Sequence, residues 1–164
     1  MNPILNTGLL IGIACAVWTF VMGVTGWYKD PALIWLFFAV IVPIQVLGIA
    51  WGLRQTAAEG RGYTNQIVAG AMISIVAGVI IIVSSLLFTT VAFPDYFQEL
   101  ADVNRELLRQ QGKSPAEIEE TVKSSMAGAS AMGHALQGFL GTLVTGILAS
   151  AVIAIFFRAR GSRT

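Results

Sequence analysis

Four stretches of this chain, roughly residues 3 to 26, 32 to 53, 66 to 92 and 135 to 157, contain no Asp, Glu, Lys, Arg or His. Each is long enough to cross about 30 Å of hydrocarbon at roughly 1.5 Å of helical rise per residue. Hydrocarbon offers no water to a backbone amide, so a crossing segment must satisfy its own N–H and C=O groups. A single uncharged stretch does this as an α-helix. Of the 164 residues, 12% are charged and 55% hydrophobic, against about 25% charged in an ordinary soluble domain. The expected fold is an all-α integral membrane protein, one domain over residues 1–164, with the lipid bilayer as its first partner. A net charge of +1 supplies no bulk attraction to nucleic acid, and none is expected as a partner.

The one cysteine, Cys15, excludes an intramolecular disulfide, and the one histidine, His134, excludes a Cys/His zinc cluster within the chain. Thiol oxidoreductases that need cysteine pairs are excluded with them, and no cofactor is expected. The first stretch reads as a mature span rather than a secretory signal, because the first cationic side chain is Lys29. Well inside that span, Cys15 reads as a buried packing residue and Trp18 as a packing or lipid-facing ring.

Basic residues resist translocation, so their placement orients the spans. Arg54 and Arg61 flank the second connection, and Arg158, Arg160 and Arg163 follow the fourth span, whereas Lys29 is the sole cation of the first connection. The third connection offsets Arg105, Arg109, Lys113 and Lys123 with seven acids. The expectation is a multi-pass protein of the bacterial cytoplasmic membrane with both termini inside. Trp27, Tyr28, Trp35 and Tyr96 then mark the external headgroup level, and Trp51 and Tyr63 the internal one.

Small residues four apart make a flat strip against which another helix can lie closely. Gly8 and Gly12 form one on the first span, Gly70, Ser74 and Gly78 one on the third, and Gly138, Thr142, Gly146 and Ser150 one on the fourth. Packing within the bundle is the economical use of these strips, and a homo-oligomer the other. The run Gly8, Ile11, Ile13, Val17 matches Gly70, Ile73, Ile75, Val79 at a fixed offset, as a duplicated helical hairpin or coincidence would produce. In the second span Pro43 removes a backbone hydrogen bond and is expected to kink the helix, and Gln45 follows it. This pair is the candidate intramembrane polar site. The amide could satisfy the freed backbone, pair with another helix or line a polar cavity.

Between the third and fourth spans, residues 94 to 133 read as an amphipathic helical hairpin. Pro94 opens its first helix, and Phe97, Leu100, Val103 and Leu107 recur on one side of it. Gly112 stops that helix, and Ser114-Pro115-Ala116-Glu117 is a capping box for the second, which carries Ile118 and Val122. Asp30 and Thr64 read as caps of the second and third spans, and Glu119 with Lys123 as a helical ion pair. The six apolar hairpin residues are the candidate partner surface. Their burial against the bundle, the lipid or another protein is expected.

The exit Gly48-x-x-x-Gly52-Leu53-Arg54, the turn Gly60-x-Gly62-Tyr63-Thr64-x-Gln66 and the acidic stretch from Gly112 to Glu120 resemble a bacterial family of small four-span membrane proteins, the domain of unknown function 4199. The resemblance covers nearly the whole chain and implies no activity. No span carries an ionisable group to activate a nucleophile or couple an ion, so the chain reads as no enzyme. The leading expectation is a non-catalytic accessory subunit or membrane scaffold that acts through helix packing and its extracytoplasmic hairpin, the hairpin contacting a membrane-protein partner or the membrane surface. The alternative is an oligomeric channel or carrier for an uncharged small solute.

Overall fold

The computed structural model describes residues 2–60 and 62–157. Arg61, Arg158, Arg160 and Arg163, on which the orientation leans, lie outside the described residues. Six α-helices follow one another: α1 (Pro3–Thr25), α2 (Ile34–Ala57), α3 (Tyr63–Leu87), α4 (Tyr96–Gln110), α5 (Pro115–Met126) and α6 (Ala131–Phe157). No strand occurs among the described residues. Four segments, Pro3–Thr25, Pro31–Ala57, Tyr63–Ala92 and Ala131–Phe157, are long and apolar enough to cross a membrane. The chain is an up-down-up-down bundle of four spans with a helical hairpin, α4 and α5, inserted before the last. We call its two ends the hairpin end and the terminal end.

The helices run past the uncharged stretches at several ends. α3 starts at Tyr63 and α6 at Ala131, and α2 continues through Arg54 to Ala57. Charge marks where hydrocarbon stops, not where helix stops, because backbone bonding continues through the headgroup level. For the same reason Thr64 is no cap. The cap position of α3 is Gly62, which has no side chain to offer. Asp30 does accept from the Ala32 N–H at 2.8 Å, but it caps a 3-10 turn, Pro31–Leu33, that leads into α2. The cap position of α4 is Asp95, one residue past Pro94, and Gly112 ends that helix in the left-handed region at φ 75°. The capping box of Ser114 and Glu117 is present. Glu119 turns away from the expected partner Lys123 and takes Arg105 Nε across the hairpin at 3.0 Å.

Close approach of α3 to α6 comes from a reciprocal arrangement of glycine and serine. Ser74 Oγ donates to Gly70 O at 2.9 Å, and Ser150 Oγ donates to Gly146 O at 2.6 Å. Each serine side chain fills the space where the facing helix's glycine lacks a Cβ, Ser150 over Gly70 and Ser74 over Gly146. Both hydroxyls are thereby satisfied within their own helices, so no polar group is stranded. α1 lies on α3 by the same logic: a Cβ at Gly8 would stand 2.8 Å from Ile73 O, and one at Gly12 3.0 Å from Ala77 O. Gly78 admits the Phe139 ring, and Gly138 sits over Ile81. All the small residues on these strips contact other helices of the same chain.

At the terminal end a core of Ile11, Ile49, Leu53, Ile73 and Ala77 is closed. Beside it the fully buried Gln66 staples α3 to α2. Its Oε1 accepts from Thr56 Oγ1 at 2.7 Å, and its Nε2 donates to Leu53 O at 3.3 Å.

Candidate functional site

Helix α2 is packed along only one half of its length. From Ile34 to Ile44 none of its residues is fully buried, although Ile41 and Ile44 reach the core in part, and the buried ones, Gln45, Ile49, Gly52, Leu53 and Thr56, all lie towards the terminal end. α2 runs uninterrupted through Pro43, whose ring is on the exposed side. Pro43 and Gln45 therefore do not share a site. The proline lies two positions before the first buried residue of α2, Gln45.

The unpacked half of α2 stands off a cavity of about 440 Å³ towards the hairpin end. That volume lies within the roughly 300–1,000 Å³ of small-molecule sites. Its walls are Phe37, Ile41 and Val42 of α2, Met22 of α1, Ile81 of α3, Phe88 in the π-helical turn Phe88–Ala92 that follows α3, and Gly138 and Gly141 of α6. Deep in it lie Cys15, Gln45, Thr142 and Thr145, and nearer the hairpin end Tyr28, Tyr96, His134 and Gln137. None of its lining residues is Asp, Glu, Lys or Arg. The Ile11, Ile49, Leu53 core lies beyond Gln45 along α2, so the cavity is blind on the terminal side.

Gln45 is the polar centre of this space. Only 4% of it is exposed, and its Nε2 donates to Thr142 Oγ1 at 3.3 Å. Its Oε1 is buried without a partner. An unpaired carbonyl oxygen in an apolar setting costs about 1–3 kcal/mol, and a hydrogen-bond donor brought into the cavity removes that cost. Of the three uses considered for this amide, the geometry combines two: it pairs with another helix, and it lines a cavity.

Aromatic rings pack together at the hairpin end. Phe88 meets Phe93 at 4.6 Å and Tyr96 at 5.4 Å between ring centroids, and Tyr28 meets Tyr96 at 5.2 Å. Tyr96 and Phe97 flank the His134 ring at 5.4 and 6.0 Å. α4 is latched over this cluster by Glu99. Its carboxylate accepts from the Tyr28 hydroxyl and from Lys29 Nζ, the latter at 2.8 Å. Hydrogen bonds from Lys29 and then Tyr28 hold the Glu99 carboxyl below the usual carboxylate range, while Glu99 raises Lys29. Burial, and after it the Glu99 contact, pushes the Tyr28 hydroxyl up to about 12. Burial also raises Tyr96.

The six hairpin residues singled out from sequence divide among different surroundings. Leu100 lines the cavity, and Phe97 packs on His134. Ile118 and Val122 are buried against Ala101 of α4, with Leu108 and Met126 at their edge. Val103 is half-buried, and Leu107 is exposed near the tip. The two hairpin helices thus cover one another, an option additional to bundle, lipid and partner. The latch escaped sequence reading because Tyr28 and Glu99 are 71 positions apart, with no local pattern to join them. Thr142 stood out only as a small residue on a strip, although it is the partner of Gln45.

Four apolar spans and an uncharged blind cavity define a multi-pass membrane protein. The chain belongs to the family described as protein of unknown function DUF4199, whose model matches residues 6–159. No curated protein and no solved structure matches it.

Proposed function

We propose that this protein is a non-catalytic binding protein of the bacterial cytoplasmic membrane. Its termini face the cytoplasm, its hairpin faces outward, and it holds an uncharged small molecule in the cavity beside α2. The observation that carries this reading is the unpartnered Gln45 Oε1, deeply buried in a cavity without charged side chains. Polar groups that orient a ligand in an apolar pocket are few and placed where the ligand's own polar atom will sit. The lining supplies two amides, hydroxyls, a thiol and one imidazole, and no carboxylate or ammonium to raise the reactivity of any of them, which favours binding over chemistry. The blind terminal side favours a binding site within one chain over a through-channel built by oligomerisation.

Extraction of protein purified from its native membranes, followed by mass spectrometry, tests this. One uncharged small molecule should be recovered near stoichiometry from the wild type and be depleted from Gln45→Met. Recovery of bulk lipid alone, in equal amounts from both, overturns the reading.

A second reading keeps the hairpin as a docking element for a membrane-protein partner. The observation that favours it is the placement of α5, which packs chiefly on α4 and leaves its outer face uncovered. Exchange of residues 95 to 123 for a Gly/Ser linker should then abolish co-purification of the partner. Partners that survive the exchange unchanged overturn it.

A further inference from the structure

The cavity has two sides by which a molecule could enter, and they differ in chemistry. At the hairpin end packed rings and the Glu99 latch narrow the path from water: Phe88 is 3% exposed and Tyr28 9%, while Tyr96, Leu100 and His134 are half-buried and Gln137 is exposed. On the flank between α2 and α6 the wall is open. Phe38 and Val42 line the cavity and are also 59% and 41% exposed. Opposite them on α6, Gly141 lines the same cavity, is exposed, and has nothing within 4 Å of where a Cβ would be. This mouth lies within two membrane-spanning segments, so what stands outside it is hydrocarbon, not water.

We infer that the cavity is a lateral binding site for a membrane-dissolved alcohol, which enters between Phe38 of α2 and Gly141 of α6 and donates its hydroxyl proton to Gln45 Oε1. The inference rests on the binding reading above and names the ligand class and its route. Three features select that class. A molecule arriving through lipid must be largely apolar, because an ionised group would meet the cost of crossing hydrocarbon. It must carry a donor, because the unsatisfied atom at Gln45 is an acceptor; an ester or ether of the same length has none. Its apolar body must fit against Phe37, Ile41 and Ile81, and any remaining length can trail through the open flank into the bilayer.

The probe is a hexadecanol carrying a mid-chain diazirine, photolysed with the full-length protein in phosphatidylcholine vesicles. Labelling should map to residues 37–42 and 138–145. Excess hexadecanol should suppress it, whereas methyl hexadecanoate, which has the same chain and no donor, should not. Gln45→Met should cut specific labelling about tenfold, the equivalent of roughly 1.4 kcal/mol. Gly141→Phe, at an exposed position where no fold contact is lost, should also cut it at least about fivefold with an unchanged unfolding midpoint, which keeps the test valid if Gln45→Met folds poorly. Equal competition by the ester, or labelling indifferent to Gly141→Phe, overturns the inference. If hexadecanol fails while native extraction still yields an uncharged polar solute dependent on Gln45, the binding reading stands and the lipid route is wrong. If neither occupies the cavity, both are wrong.

Discussion

At the scale of single residues, three side chains carry most of what is specific about this bundle, and each is polar or absent. Gly146 has no Cβ because Ser74 occupies that space, and the two backbones are already as close as the serine allows. Gly146→Ala should therefore lower detergent stability by about 1–3 kcal/mol, the usual cost of overpacking. Gly146→Leu should prevent α3 and α6 from docking, whereas Ile147→Leu next to it, 38% exposed and volume-conserving, should be nearly silent. Equal unfolding midpoints for Gly146→Leu and Ile147→Leu would place the strip against lipid. Gln66 works in the opposite way, by presence. Gln66→Leu removes the acceptor for Thr56 Oγ1 and the donor to Leu53 O. Thr56 retains a 3.1 Å bond to Leu53 O, so the loss should be about 1–3 kcal/mol rather than collapse. It should appear as faster hydrogen exchange in residues 54 to 66, with the hairpin end unaffected. Gln45 is the third, and its significance differs: it is the buried amide left with an acceptor to fill.

At the scale of elements, the hairpin is held by a small electrostatic latch whose pH dependence has a definite sign. The folded-state value of Glu99 lies below its ordinary 4.5, so its contribution is present above that ordinary value and disappears as pH falls through the folded one. Lys29 lies above its ordinary 10.5, and Tyr28 at about 12 lies above its ordinary 10.0. Their contributions are present below those ordinary values and are lost as pH rises through the folded ones. The latch is complete from above the carboxylate range to about pH 10. Acidification through the folded-state value of Glu99, or Glu99→Gln at neutral pH, should loosen α4 where it meets residues 27 to 29. Hydrogen exchange over residues 96 to 104 reports this, and identical protection of wild type and Glu99→Gln at neutral pH would contradict it. The hairpin's existence was legible from sequence, because Gly112 and the Ser114 capping box are local signals that act over a few residues. Its docking was not, since Tyr28 and Glu99 meet across 71 positions. Helix ends were legible only to within a few residues: α6 begins at Ala131, before His134, because a half-buried imidazole is tolerated near a span end. Burial on α1 and α3 repeats at the matched positions, with Gly8, Ile11, Gly70 and Ile73 inside and Ile13, Val17, Ile75 and Val79 outside. That agreement follows from the helical period shared by two spans docked on each other, and duplication is not needed to produce it.

For the whole molecule, the four uncharged stretches were sufficient to define the spans, because the cost of placing charge in hydrocarbon is large and local. The cavity was not legible, because it arises from a place where helices fail to touch, and sequence patterns report contacts better than gaps. Gln45 stood out as a buried amide, but only the tertiary arrangement shows that α2 has no fully buried residue from Ile34 to Ile44. The same gap ties function to orientation. With both termini in the cytoplasm, the hairpin end, and with it the cavity, lies in the outer half of the bilayer, and a ligand entering between Phe38 and Gly141 comes from the outer leaflet. The charges that orient the chain favour this arrangement, since Arg54 and Arg61 flank the α2–α3 turn while the hairpin's cations are balanced by acids. In a Cys15→Ala background, single cysteines at Lys113 and Ala58 report the two ends directly, both positions being exposed. A membrane-impermeant maleimide applied to intact cells should modify Lys113→Cys and spare Ala58→Cys until the membrane is permeabilised. The reverse pattern would invert the protein, move the cavity to the inner leaflet, and require that its ligand be drawn from the cytoplasmic side.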